Sequence, residues 1–242
     1  MPIVKLDATS STNDFLKELA GNQDLENFMV VTTESQTSGR GQMGAKWHSE
    51  PYKNLIMSIL IKNSISDIKD IYNLNVCVAL SVFASLQSLR LPHISIKWPN
   101  DIMSGNKKIG GILIENVIKS SGEIISIAGI GLNVNQKDFA GLPQASSLTN
   151  ILGEEINRDL LLEDITNHTA KNIHALQQHK SKLWDDYNKA IFRKGIPTAF
   201  EDATGAKFMG IIQSVLENGT LEVSLEDESI AAFSLREIKM LF

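Results

Sequence analysis

Three short segments bring together side chains that could bind or move charge. The first is Gly39-Arg40-Gly41-Gln42-Met43-Gly44. Glycines let backbone N–H groups approach a ligand closely, and a run of such groups cradles anionic oxygens without a side chain. Arg40, one of five arginines in the chain, stands between two of these glycines. There its planar fork would grip a carboxylate or phosphate at two points; a flexible hairpin tip carrying an exposed arginine is the plainer alternative. Gln36, just upstream, adds an amide that both donates and accepts. The run also matches G-x-G-x-x-G, but Ala45-Lys46-Trp47-His48 follows it instead of a helix. About 20 residues on, Ile61-Lys62 offers no acid for a ribose, so a dinucleotide-binding fold is set aside. A kinase is set aside too, since neither His-Arg-Asp nor Asp-Phe-Gly follows.

The second segment is Lys97-Trp98-Pro99-Asn100-Asp101, followed by Lys107-Lys108-Ile109-Gly110-Gly111. A strand-ending lysine, an aromatic-proline corner and Asn-Asp place a cation, an amide and a carboxylate within five residues. Lys108 opens an apolar strand beside a glycine pair. Either lysine alone reads as a solvated strand end, but together with Arg40 they make three cations, a fitting complement for a polyphosphate. The third segment, Gly129-Ile130-Gly131-Leu132-Asn133-Val134-Asn135, ends a strand in glycines and asparagines. Asn133 could read a nucleobase edge or simply form a turn.

These residues need elements to hold them. Ser10-Ser11-Thr12 before NDFLKELA reads as an N-cap and a short amphipathic helix with Phe15, Leu16 and Leu19 on one face. Strands are expected at 28–34, 54–61, 93–98, 108–118 and 123–134, the last two joined at Ser120-Ser121-Gly122. A long, largely buried helix is expected over 67–90 and two more over 159–191. Pro99 to Lys107 reads as a turn, and 35–53, with three glycines and a proline, as a long loop of the functional or mobile kind. From Gly195 the pattern changes to short strands with turns at Glu217-Asn218-Gly219 and Glu226-Asp227-Glu228. Asn-Gly between apolar runs is a strong hairpin signal. The expectation is therefore α+β: a mixed sheet with helices over residues 1–194 and a small all-β barrel over 195–242.

With 242 residues, 43% of them hydrophobic, the chain can bury a full core plus a small appendage. Its formal charge of −5 is unevenly placed, because residues 195–242 hold 3 Lys+Arg and 8 Asp+Glu while the rest hold 20 of each. Nothing supplies the basic stripe of a nucleic-acid binder, so no DNA partner is expected. No run approaches the roughly 20 apolar residues of a membrane span, and no signal peptide opens the chain, which points to the cytoplasm without a membrane partner. The lone Cys77, within VCVAL, reads as a buried thiol. His168, His174 and His179 are off a common helical face and read as solvated, so no resident metal site is expected. The neutral part reads as gathering Arg40, Lys97, Lys107 and Lys108 around one site, and the acidic part as a docking or closing element beside a cationic pocket that it does not itself build.

In order and spacing, Ser11-Thr12-Asn13, Gln36…Gly39-Arg40-Gly41, Lys97-Trp98-Pro99-Asn100-Asp101, Lys108-Ile109-Gly110-Gly111-Ile112 and Gly131-Leu132-Asn133 resemble the biotin protein ligases. The resemblance runs over essentially the whole chain. It implies a catalytic domain like that of the class II synthetases, an SH3-like C-terminal domain, and formation of biotinoyl-5′-AMP from biotin and MgATP. The biotinoyl group then passes to a lysine of a carboxylase's biotin-carrier domain. By motif, Ser11, Thr12, Asn13 and Gln36 should meet the ureido end of biotin, and Gly39, Arg40, Gly41, Gln42 and Lys108 its carboxylate region. Arg40, Asn100, Asp101 and Asn133 should serve ATP, with Asn133 near adenine. Lys108 matches the family's catalytic lysine, and Arg40, Lys97 and Asp101 complete the catalytic set.

The division suits the chemistry. Short hydroxyl and amide side chains satisfy a neutral ureido group without burying a charge. A carboxylate attacking an α-phosphate brings two anions together, so preorganised cations and Mg²⁺ lower the barrier. Asp101 would orient a lysine or hold the metal's water, and Trp47 and Trp98 could wall the apolar arm or belong to ordinary packing. The loop over 36–53 would close as a lid, because an acyl-adenylate must be kept from water. Gln42 stands where the family commonly has a second arginine. Since Ser11 comes so early, the form without an N-terminal DNA-binding domain is expected. A lipoate or octanoyl transferase and a non-catalytic biotin-binding regulator are the rival readings, and a homodimer is left open.

Overall fold

Apolar runs in the first 135 residues build the sheet that carries these segments. The computed structural model describes residues 1–65, 67–119 and 122–242. Strands β1 (Ile3–Thr9), β2 (Val30–Gln36), β3 (Leu55–Lys62), β4 (Ile94–Lys97), β5 (Asp101–Ser104), β6 (Lys107–Ile118) and β7 (Ile124–Leu132) form one sheet in the order β1-β2-β3-β7-β6-β5-β4. β1 and β2 are parallel and every other neighbouring pair is antiparallel, so the sheet is mixed as expected.

Both faces of this sheet are covered, and β3 shows it: seven of its eight residues are buried. Side chains alternate across a strand. Met57, Ile59 and Ile61 accordingly join the main core with α2 (Tyr72–Ser88) and α4 (Arg158–Lys189), whereas Leu60 joins Leu16, Leu25, Val31, Ile125 and Ile127 beneath α1 (Thr12–Asn22). Cys77 is buried within α2, and that burial pushes its thiol up to about 12. The stretch Ile68–Ser88 is long and apolar enough to cross a membrane, but 61% of its most apolar window lies inside the protein.

Several local expectations change. β1 is an added edge strand, with four of its seven residues exposed, too polar to stand out as an apolar run. The expected Pro99–Lys107 turn contains β5, whose Ile102 and Met103 are buried between β4 and β6. Four residues are too few for a strand pattern to emerge between turn formers. The two helices expected over 159–191 are one, α4, with a single irregular residue at His179 (φ −131°, ψ 30°). A short helix α3 (Leu148–Leu152), capped by Ser147, was not anticipated. Of the expected Ser120-Ser121-Gly122 turn, the first two residues lie outside the described residues.

Beyond Ile196, β8 (Pro197–Asp202), β9 (Lys207–Val215), β10 (Leu221–Leu225), β11 (Ile230–Phe233) and β12 (Ile238–Leu241) form a five-stranded antiparallel sheet in the order β11-β10-β9-β8-β12. The β9–β10 turn has Gly219 at φ +86°, which an L side chain resists. Phe200, Ile212, Val215, Leu221, Val223, Ile238 and Met240 belong to the same apolar cluster as α2 and α4. Polar ties reinforce the junction: the Trp98 indole donates to the Gly219 carbonyl at 2.9 Å, and Asn188 exchanges two hydrogen bonds with the Val215 backbone.

Candidate active site

A cavity of about 440 Å³ opens where α1, the glycine loop and the ends of β4 to β7 meet the C-terminal sheet. One end is neutral and polar. Ser11 caps α1 by accepting from Asp14 N, which sets Thr12 and Asn13 in the first turn, both nearly fully buried. Gln36, at the end of β2, accepts the Thr12 N–H on its Oε1 at 2.9 Å. The Ser58 hydroxyl bonds Asn13 Oδ1 at 2.6 Å and lies 2.8 Å from Thr12 Oγ1. Asn13 Nδ2 donates to Glu115 Oε2 at 2.8 Å. Gly129 makes room for this: a Cβ there would collide with the Asn13 amide. Ser58 and Glu115 were missed by motif reading. Their signal was present as a serine inside the apolar NLIMSILI and an acid inside the apolar KKIGGILIENVI, since a buried polar group in a strand needs a partner.

The glycine loop is more ordered than its composition suggests. Trp47 N donates to the Gly39 carbonyl at 2.9 Å and Gly41 N to the Ala45 carbonyl at 2.7 Å, with a bridge between Arg40 and Lys46. The Gly41 N–H is thus engaged within the loop instead of joining an open nest for an anion. Arg40 reaches back across the site, its Nη2 2.5 Å from Asp14 Oδ1 and 3.1 Å from Glu115 Oε2. Gly39 does not line the cavity, whereas Arg40, Gly41, Gln42 and Lys46 do. Trp47 lies over the glycines of β6 and β7, so closely that a Cβ at Gly131 would come 2.6 Å from its ring. Among the described residues its buried indole nitrogen has no hydrogen-bond partner. A buried N–H of that kind is a donor that a ligand acceptor would satisfy.

At the other end Asp101 stands between two lysines: Oδ1 is 2.6 Å from Lys108 Nζ, and Oδ2 is 3.7 Å from Lys97 Nζ. Burial holds the Lys97 ammonium below the ordinary lysine value, Asp101 pulling it up and Lys108 and Lys239 adding to the depression. The β5–β6 register shifts between Ile102 and Met103, the sort of bulge that re-aims a side chain, just where Lys108 enters. Asn100 clamps this corner by donating to the Ile112 carbonyl at 2.7 Å while lining the cavity. Trp98 lines it as well but is buried and tied to Gly219.

Asn133 does not line the cavity, and its amide donates to the Ser146 carbonyl at 3.1 Å. Lys107 does not line it either, its ammonium donating to the Pro143 carbonyl at 2.5 Å. The acidic C-terminal part lines the cavity with two bases, Arg236 and Lys239, and three acids, Glu201, Asp202 and Glu237. Ser11, Thr12, Asn13, Gln36, Arg40, Gly41, Gln42, Lys97, Asn100, Asp101 and Lys108 are all brought to one cavity.

The chain can now be compared with known proteins. The model of the biotin/lipoate A/B protein ligase family matches residues 6–135. The bifunctional ligase/repressor BirA of Bacillus subtilis is 33% identical over 193 residues, covering 76% of this chain and 59% of that protein. The biotin–[acetyl-CoA-carboxylase] ligase of Mycobacterium tuberculosis is 26% identical over 217 residues, covering 88% of this chain and 79% of that one. This chain spans about three fifths of the BirA relatives of Bacillus. Among solved structures, the biotin protein ligase from Aquifex aeolicus in complex with biotin and ATP superimposes with a TM-score of 0.82 at 24% identity, covering 99% of this chain and 98% of that one. That likeness is one of fold.

Proposed function

The chain belongs to the biotin/lipoate A/B protein ligase family, and we propose that it activates biotin with ATP to biotinoyl-5′-AMP and transfers the biotinoyl group to a lysine of a biotin-carrier domain. The observation that carries this reading is the polarity of one cavity: a neutral hydroxyl-amide cluster at one end and paired lysines at the other. Relatives named as biotin ligases, and a structural neighbour holding biotin and ATP, support it.

Ser11, Thr12, Asn13 and Gln36 offer donors and acceptors at neutral cost to a ureido ring, with Ser58 behind them holding Thr12 and Asn13. Lys97 and Lys108 face the region where the biotin carboxylate would attack the α-phosphorus and pyrophosphate would leave, and Arg40, paired here with Asp14 and Glu115, would join them on turning from those acids. Positive charge fixed there favours the crowded, anionic transition state over the separated reactants. In the second step the carrier amine attacks the acyl carbon and AMP departs. Asp101 holds Lys108 in place and gives one oxygen to each lysine. Both of its oxygens being so engaged, magnesium is best written as part of the substrate MgATP; among the described residues no group of three His, Cys, Asp or Glu is arranged to hold an ion. A cytoplasmic setting belongs to this proposal, since a biotin-carrier domain and ATP would meet there.

The test is biotin-dependent exchange of labelled pyrophosphate into ATP, followed by transfer to a biotin-carrier domain. Exchange with biotin and none with lipoate is the expected result. Exchange driven by lipoate, or biotin binding without exchange, would overturn the reading in favour of the lipoate-type enzyme or a binding protein.

A further inference from the structure

The last strand ends beside the two lysines that the proposed reaction uses. Phe242 follows β12, and its ring stands edge-on to Phe192 with centroids 5.3 Å apart. Lys97 Nζ lies 5.0 Å from the centroid of that same ring. The Phe242 carbonyl accepts from Gln144 Nε2 at 2.5 Å, and the Gln144 carbonyl accepts the backbone N–H of Lys108 at 2.7 Å. Ser146 N returns a hydrogen bond to the Lys108 carbonyl at 3.0 Å, so the start of β6 is held from both directions. One residue after the C-terminal sheet therefore meets the Lys97 ammonium with its ring and, through Gln144, is tied to the backbone of Lys108.

We propose that Phe242 is a positioning residue for adenylate formation, its ring fixing Lys97 against Asp101 and its carbonyl fixing, through Gln144, the strand end that carries Lys108. The inference rests on the ligase reading. A lysine ammonium sits on a flexible four-carbon stem, and an aromatic face holds it by attraction to the ring quadrupole, which an aliphatic side chain of similar size lacks. Asp101 has one oxygen for each lysine. If Lys97 moves off, that carboxylate is free to take Lys108 with both oxygens and to hold it away from the phosphates. The loss then falls on the transition state, whose charge the lysines meet, while the contacts of the uncharged ring on α1 are untouched.

The test compares Phe242→Leu, Phe242→Tyr and Gln144→Leu in the full chain. Phe242→Leu should lower kcat of pyrophosphate exchange by about ten-fold with KM for biotin within about two-fold, and Phe242→Tyr should retain the parent rate. An unchanged kcat in Phe242→Leu, an equally slow Phe242→Tyr, or a KM that rises in step with the fall in kcat would each overturn the proposal. If the parent chain shows no biotin-dependent exchange, the ligase reading fails on its own. The positioning link is then read from the Lys108 amide, whose hydrogen exchange should quicken about ten-fold in Gln144→Leu while that of Ile130 stays constant. Unchanged exchange at Lys108 would overturn it.

Discussion

Glu115 Oε2 accepts the Asn13 amide at 2.8 Å and lies 3.1 Å from the Arg40 guanidinium, so one carboxylate oxygen joins the neutral end of the cavity to the glycine loop. Removing its charge while keeping its shape should loosen both partners. Glu115→Gln is expected to weaken biotin binding by about ten-fold, roughly 1.4 kcal/mol, a value kept low because Arg40 is partly exposed and also holds Asp14. Calorimetric titration with biotin alone measures this, and an unchanged Kd would mean that Asn13 needs no help from Glu115.

Lys108 is the cation nearest the Asp101 carboxylate, with its side chain 40% exposed to the cavity side of β6. Lys108→Ala should lower the rate of pyrophosphate exchange by about 10²–10³, the usual cost of one preorganised charge contact in a transition state. The fold should survive, since this side chain is outside the apolar core. Exchange at the parent rate would remove Lys108 from the catalytic set, even with the family assignment intact.

How much of this was legible beforehand depended on how far each signal reached along the chain. Ser11-Thr12-Asn13 and Lys97…Asp101 were readable because a cap and a corner are local, and their side chains fall in the cavity. The partners Ser58 and Glu115 lie 45 and 102 residues from Asn13 and are defined only by strand register. Arg40 lines the cavity, but its pairing with Asp14 and Glu115 depends on the direction in which the loop folds back. Asn133 was open to two readings because an amide at a strand end serves a ligand or a backbone carbonyl equally well, and its amide bonds the Ser146 carbonyl. Arg236 and Lys239 were lost in a segment total of acidic sign.

Gly131 lacks a side chain because Trp47 occupies its place. A Cβ there would stand 2.6 Å from the indole ring, closer than packing allows. Gly131→Ala should therefore push Trp47 and its loop outward, at a cost of about 1–3 kcal/mol for overpacking. The expected signature is a rise in KM for biotin with a changed tryptophan emission on biotin addition. If KM for biotin stays at the parent value, Trp47 does not wall the apolar arm.

Gln42 opens the turn Gln42–Gly44 and lines the cavity, and its carbonyl accepts the Ala45 N–H at 3.1 Å. An amide there can bond a phosphate oxygen but adds no charge. With Arg40 already shared between Asp14 and Glu115, the loop meets an anionic intermediate with little uncommitted positive charge beyond Lys46. Gln42→Arg should slow dissociation of biotinoyl-5′-AMP by about ten-fold, the effect of one charge-assisted hydrogen bond of roughly 1.5 kcal/mol. Backbone hydrogen exchange gives a second view of the same loop. In the parent chain the amides of residues 36–53 should exchange more slowly once biotin and ATP are both present, as expected of a lid that orders over a water-sensitive intermediate. In Gln42→Arg the slowing should be larger. A loop whose exchange ignores both ligands would not be a lid, and an unaltered dissociation rate would show that residue 42 does not reach the phosphate.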